Sequence, residues 1–291
     1  MGNTNNRHTT DTNLPVVNVD AVFQHDKTAL NILAESLQQR SYAILRYNDL
    51  DKIQEFHNLI NSVNQFFCAS PNEKQKLEKE ANIGYVDIPE IREFLKFRTS
   101  EVVELEECIP NFVKGTDSLQ TLANICWSCF SHLISVSATP ISTEEQKDLK
   151  LCLEERASLS IIHYYPAGVN ESTQDSENTA QIPAEADKTN GVLHVCSKHQ
   201  DTGLMTLVMT SGIPGLDVYD TLEKKWLKLE EMIQPFRDSP RTEIMVLMLG
   251  QKAPIFLGNE PFYEPTIHRV TLPRGVERNS FLYFMDTAKV S

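Results

Sequence analysis

The sequence predicts a mainly β domain, a barrel or sandwich, behind an N-terminal half in which helices and short strands mix. Three observations carry this. The chain has 291 residues, 41% of them hydrophobic and 23% charged, which is an ordinary globular composition with enough material for a sizeable core. Residues up to about 150 show helical spacing between brief β-rich runs. After Ser158 the chain breaks into short apolar segments separated by Gly- and Pro-containing turns. The pattern changes between residues 140 and 158. An N-terminal α/β region, 1–150, packing on a β domain, 151–291, is therefore expected.

Element by element, Leu14-Pro-Val-Val-Asn-Val19 reads as a first short strand. Thr28 to Gln39 carries Leu30, Ile32, Leu33 and Leu37 at helical spacing. Ser41 to Leu45 reads as a second strand, and Asp49 as the N-cap of a helix running toward Phe67. Ser70-Pro71-Asn-Glu73 combines an N-cap Ser, a Pro at the first helical position and a Glu that closes a capping box. Asp117 or Ser118 is expected to cap an apolar helix through Cys126 and Leu133. Strands then follow at Leu159–Tyr165, Leu204–Thr210, Leu216–Tyr219, Trp226–Leu229, Ile244–Leu249, Thr266–Leu272 and Ser280–Phe284. Asn170 to Asn190 is polar, with little to bury, and is expected to be a mobile surface insertion.

The formal net charge is −13. That argues against a nucleic-acid phosphate backbone as partner, because such proteins usually carry a basic surface. No stretch is long and apolar enough to span a bilayer, and Met1 to Asn13 lacks the apolar run of a secretory signal. A cytoplasmic protein, without membrane or nucleic acid as partner, is expected. Gly2 hints at myristoylation, but Asn6 stands where that motif wants Ser or Thr. Cys68, Cys108, Cys126, Cys129, Cys152 and Cys196 are scattered, which fits reduced thiols. Cys126-Trp-Ser-Cys129 has redox or zinc spacing, yet sits in an apolar helical run without a second pair and reads as buried structure.

The chemistry centres on His199-Gln-Asp201. On a strand, side chains at i and i+2 point to one face, so this pair is expected to converge. His268 follows on another expected strand. Two histidines and one carboxylate are the ligand set of non-haem Fe(II) oxygenases, with positions left for a co-substrate and dioxygen. Standing alone, a His-x-Asp pair is ordinary in a chain of this size. Its surroundings add to it. Arg278-Asn-Ser280 places guanidinium and hydroxyl on one strand face, where Arg is the preferred partner of a buried carboxylate; the bland alternative is a solvated Arg. His163 and Tyr165 share a face, and Tyr165 offers a hydroxyl donor, although an aromatic pair is otherwise core material. His194 and Cys196 precede the triad without matching partners and read as structural. Lys96 and Arg98 either meet an anionic substrate or are simply solvated.

The run His199-Gln-Asp201-Thr-Gly203-Leu-Met-Thr206-Leu-Val208 resembles the metal-binding strand of the isopenicillin N synthase-like family of Fe(II)/2-oxoglutarate-dependent dioxygenases. Gly215-Leu-Asp-Val-Tyr219 with Trp226 resembles its next hairpin, and His268-Arg-Val270 with Arg278-Asn-Ser280 its second histidine and Arg-x-Ser motif. Leu14-Pro15, Phe66-Phe67, Pro71 to Lys74, Gly84-Tyr85 and Glu93 to Arg98 resemble its N-terminal segments, so the likeness spans most of residues 14–284. The resemblance implies a double-stranded β-helix (jelly-roll) core with an N-terminal helical layer. It implies iron held by His199, Asp201 and His268, and 2-oxoglutarate gripped by Arg278 and Ser280 with help from Tyr165. It implies that dioxygen and 2-oxoglutarate are consumed, with release of succinate and CO2, while a substrate C–H bond is oxidised.

Departures from the family pattern leave expectations open. His163 stands where many relatives carry Asn, the 170–190 and 230–241 segments are longer than usual, and the chain stops at Ser291, soon after the Arg-x-Ser motif. A more open mouth, or a lid taken from a partner or from residues 170–190, is expected. Two rival functions stay open: an iron oxidase of the same fold that does not use 2-oxoglutarate, and a non-catalytic binding or sensor protein on the same scaffold.

Overall fold

The computed structural model describes residues 14–77, 84–89, 92–98, 109, 116–137, 141–165, 192–210, 212–237, 241–258, 262–273 and 275–287. The insertion 170–190, expected to be a mobile surface loop, lies outside the described residues.

The short strand β1 (Val16–Asn18) leads through α1 (Val19–Phe23) and α2 (Lys27–Arg40) into β2 (Tyr42–Tyr47). Then come α3 (Leu50–Phe67), α4 (Pro71–Gln75), β3 (Gly84–Ile88), β4 (Arg92–Arg98), α5 (Thr116–Val136) and α6 (Thr143–Arg156). The remainder is β5 (Ser158–Tyr164), β6 (Val192–His199), β7 (Met205–Met209), β8 (Leu216–Asp220), β9 (Lys225–Lys228), α7 (Leu229–Ile233), β10 (Glu243–Leu249), α8 (Ala253–Leu257), β11 (His268–Pro273) and β12 (Arg278–Met285). An eight-stranded sheet runs β1-β2-β10-β7-β12-β5-β4-β3, and a four-stranded sheet runs β6-β11-β8-β9. The two form a double-stranded β-helix, with the N-terminal helices layered outside the larger sheet and α7 packed against β8 and β9 of the smaller one.

Local signals explain most boundaries. Asp26 and Asp49 cap α2 and α3 by accepting from the backbone N–H groups of Ala29 and Lys52. Ser70 and Glu73 close the expected capping box on α4. The expected caps Asp117 and Ser118 instead lie inside the first turn of α5, which begins at Thr116. Helix α6 is not among the expected elements. Its signal is Ser142-Thr-Glu-Glu145, a second capping box in which Ser142 and Glu145 satisfy each other's backbone N–H.

The central strands of the larger sheet, β7 and β10, are buried on both faces. Every residue of β10 is buried. Met245, Leu247 and Leu249 join the core under the helices, and Ile244, Val246 and Met248 join Leu216, Val218 and Leu227 between the sheets. A strand covered on both sides needs a continuous apolar run rather than alternation, and Ile244–Leu249 supplies one. The expected division at residue 150 falls within a shared framework: β1 and β2 extend one edge of the larger sheet, and β4 and β3 the other. Among the described residues no helix is long and apolar enough to cross a membrane.

Candidate metal centre

The chain passes from the smaller sheet to the larger one between β6 and β7, and the candidate ligands sit at that corner. His199 is the last residue of β6 and pairs across the ladder with His268, the first residue of β11. Asp201 lies in the turn after β6, not on a strand with His199 as expected. Convergence therefore comes from the turn rather than from strand alternation. The turn is pinned by close backbone contacts. Gln251 N–H donates to the Asp201 carbonyl at 2.8 Å, Lys252 N–H to Gly203 at 3.0 Å, and Gly250 N–H to Leu204 at 2.8 Å. A Cβ at Gly250 would stand 2.1 Å from the Gly203 carbonyl oxygen, and one at Gly203 would stand 2.8 Å from that of Met285. Only glycine permits this approach.

His199, Asp201 and His268 each offer one ligand atom, and these atoms all lie within 4.8 Å of one another. His199 Nε2 is 3.6 Å from Asp201 Oδ1, and His268 Nε2 is 3.7 Å from Asp201 Oδ2. Both other ring nitrogens face carbonyl oxygens: His199 Nδ1 lies 2.9 Å from that of Ser197, and His268 Nδ1 3.2 Å from that of Thr266. A carbonyl can only accept, so each Nδ1 carries a proton and Nε2 is the nitrogen left facing Asp201, where a metal would have to displace any proton it holds. That is how metal-ligating histidines are commonly oriented. Asp201 is held in turn by Thr206, whose hydroxyl donates to Oδ2 at 2.5 Å. Thr266 is anchored by donating its hydroxyl to the Ser41 carbonyl at 2.5 Å and accepting from Leu249 N–H at 2.9 Å. The C-cap of α2 thus buttresses a candidate ligand far along the chain.

The electrostatics separate the two rings. Burial pushes the His268 pKa down, with Asp201 opposing. Burial also pulls on His199, but Cys196, Asp201 and the Ser197 carbonyl outweigh it and raise it to about 9. Cys196, expected to be structural, has its sulfur 3.8 Å from His199 Nδ1.

Arg278 and Ser280 do share the interior face of β12, and the guanidinium donates to the Ser280 hydroxyl. Arg278 is 2% exposed and already holds a carboxylate: its Nη2 donates to both oxygens of Glu230 at 3.0 Å. Its Nε donates to the Ile213 carbonyl at 3.1 Å. Glu230 Oε2 also accepts from the backbone N–H groups of Gly215 at 2.7 Å and Leu216 at 2.9 Å. Tyr165 does not join this group. In the β5–β12 ladder Arg278 pairs with Tyr164, whose ring centroid is 6.0 Å from the Arg278 guanidinium carbon. Tyr165 instead donates to Asp87 at 2.6 Å. His163, on the same face as Tyr165, meets Glu93 at 3.1 Å and the Phe67 ring. One residue of alternation decides which tyrosine faces inward.

Lys96, whose role spacing alone leaves undecided, is a half-buried cation on β4. Its ammonium sits 5.2 Å from the centroid of the Phe284 ring. Phe284 pairs across the ladder with Thr206, which holds Asp201. Burial lowers the Lys96 pKa, and the carboxylates of Asp286 and Asp201 oppose that. His194 is exposed on β6. Cys126 and Cys129 are buried in α5, as expected of a structural pair, and burial raises both thiols. A cleft of about 710 Å³ opens between α3 and β12, lined by His57, Asn64, His163 and Asn279 among others, and it reaches Arg278 and Ile213. It does not include the triad.

No family model matches this chain, and no curated protein matches it in sequence. Solved structures do match in shape. AtDAO1, the dioxygenase for auxin oxidation 1 of Arabidopsis thaliana, in complex with 2-oxoglutarate, superposes with a TM-score of 0.67 at 14% identity over 95% of this chain and 93% of that one. A full-length Neurospora crassa protein in complex with α-KG gives 0.64 at 17% identity over 96% of this chain and 86% of that one. The rice dioxygenase for auxin oxidation gives 0.62 at 14% identity over 94% and 82%. These likenesses establish the fold.

Proposed function

We propose that this chain, whose fold is that of 2-oxoglutarate- and iron-dependent oxygenases, is itself an Fe(II) dioxygenase that uses 2-oxoglutarate as co-substrate to oxidise a small molecule. The observation that carries this is the triad: two histidine rings and one carboxylate, each offering a ligand atom within 4.8 Å of the others, at the corner between the sheets. Imidazole and carboxylate suit Fe(II), and three protein ligands leave positions open for other groups. Bound iron with 2-oxoglutarate would supply the activation of dioxygen, the co-substrate leaving as succinate and CO2.

The chain's own residues have separable roles in this reading. His199, Asp201 and His268 hold iron, with Thr206 and Thr266 orienting the carboxylate and one ring. Arg278 and Ser280 receive the distal carboxylate of 2-oxoglutarate. Their fitness for a carboxylate is supported by Glu230, whose side chain stands in for one there. Tyr164, across from Arg278, takes the position that the resemblance assigned to Tyr165. Lys96, half-buried on β4 over the Phe284 ring, supplies a cation that favours a substrate bearing an anionic group.

The test is anaerobic titration with Fe(II) and then 2-oxoglutarate, watching for the metal-to-ligand charge-transfer band, followed by oxygen consumption and succinate release. A band and succinate are expected. A second reading, an iron oxidase that does without 2-oxoglutarate, is favoured by one observation: Glu230 already engages Arg278. Iron-dependent oxygen uptake without succinate would establish that reading instead. Absence of iron binding would overturn both.

A further inference from the structure

Glu230 belongs to none of the motifs that point to the site. It is the second residue of the five-residue helix α7, and its side chain is 1% exposed, as is that of Arg278. Around its carboxylate converge the Arg278 Nη2, at 3.0 Å to each oxygen, and the backbone N–H groups of Gly215 and Leu216 at 2.7 and 2.9 Å. One cation and two N–H donors aimed at a buried carboxylate make a built anion receptor. The receptor is tight. A Cβ at Gly215 would lie 2.9 Å from Arg278 Cδ and 3.0 Å from Nε, so a side chain there would press on the guanidinium arm.

The rest of the guanidinium is engaged as well, by Ser280 and by the Ile213 carbonyl. A second carboxylate entering this receptor would meet the first at close range, and two carboxylates that share a site repel. Only one can hold it.

We propose that Glu230 is the resident occupant of the subsite for the co-substrate's distal carboxylate, and that 2-oxoglutarate binds by exchange, displacing Glu230 from Arg278. This rests on the 2-oxoglutarate reading above. Glu230 then sets co-substrate affinity and selectivity. The apparent affinity for a 2-oxo dicarboxylic acid is reduced by the fraction of molecules in which Glu230 has left. A 2-oxo acid with no distal carboxylate escapes that competition.

The experiment is anaerobic calorimetric titration of the Fe(II)-loaded protein with 2-oxoglutarate and, separately, with 2-oxovalerate, which has the same five carbons and no distal carboxylate. Glu230→Gln, which removes the charge while keeping a hydrogen-bond acceptor, should bind 2-oxoglutarate at least tenfold more tightly than wild type. Its affinity for 2-oxovalerate should stay within about twofold. Equal or weaker 2-oxoglutarate binding by a folded, iron-loaded Glu230→Gln overturns the exchange. If wild type and variant load iron but bind neither 2-oxo acid, the co-substrate reading itself fails and the exchange with it. A measurement on the wild type covers the case of a variant that does not fold. Adding 2-oxoglutarate should speed amide hydrogen exchange in residues 229–233, because Glu230 leaves its anchor. Slower or unchanged exchange there, with 2-oxoglutarate bound, overturns the proposal.

Discussion

At the scale of single residues, the geometry of the candidate centre depends on groups outside the triad. Thr206 donates to Asp201 Oδ2 at 2.5 Å, and Thr266 offers its carbonyl to His268 Nδ1 at 3.2 Å. Such partners fix the orientation and basicity of the ligands, and losing one commonly costs 10–100-fold in metal affinity. His199→Ala or His268→Ala should therefore abolish tight Fe(II) binding. Thr206→Val, nearly the same volume without the hydroxyl, should weaken it by roughly tenfold to a hundredfold. A competition assay with a chelator of known affinity measures both. Wild-type iron affinity in Thr206→Val would mean that Asp201 is held by its turn alone.

Among the elements, the corner between β6 and β7 matters most for the site. It brings a strand end, a turn and the start of β11 to one point, and it does so through backbone contacts that leave no space for a side chain. Gly250→Ala would drive a methyl carbon to 2.1 Å from the Gly203 carbonyl oxygen, so the corner must shift. Because that oxygen is backbone, it cannot swing aside as a flexible side chain would. The variant should lose on the order of 2 kcal/mol or more of stability, in the range of overpacked and strained core sites. It should also lose iron affinity, since Asp201 rides on the same turn. Urea unfolding together with iron titration checks both effects. Destabilisation with intact iron binding would separate the corner's packing from its role in aiming Asp201.

For the molecule as a whole, a buried polar network ties the N-terminal helical layer to the sheet. Glu93 on β4 is 5% exposed and accepts from Lys74 at 2.6 Å and Tyr85 at 2.7 Å, with His163 at 3.1 Å. Burial would raise its pKa, but the bonds from His163, Lys74 and Tyr85 hold it below the ordinary glutamate value. A carboxylate whose folded pKa is depressed contributes stability that is fully present above its unfolded pKa, about 4.3, and is lost as pH falls through the folded pKa. Glu93→Gln should thus be less stable than wild type at neutral pH by about 1–3 kcal/mol, the scale of hydrogen bonds to a charged group. The difference should shrink as the pH drops below about 4. Urea midpoints at pH 7 and near pH 3.5 test this; an equal gap at both would mean that Glu93 acts through packing rather than charge.

By itself the sequence determined what depends on local spacing. The caps at Asp49 and Ser70, the run Ile244–Leu249 and the candidate ligand types are legible because each follows from a few consecutive residues. Helix α6 is legible in the same way, from its capping box at Ser142 and Glu145. Only the tertiary structure decided the rest. Two-residue alternation says that His163 and Tyr165 share a face, but not that Arg278 meets Tyr164 instead. It says that His199 and Asp201 are near, but not that a turn wedged by Gly203 and Gly250 does the aiming. Nothing local foretold that Glu230 would fill the grip of Arg278, or that Lys96 would lie over the Phe284 ring. The physical reason is common to these cases. A side chain's role here is set by which charges and dipoles share its low-dielectric surroundings, and those neighbours come from strands far apart in the chain, brought together only when the sheets close.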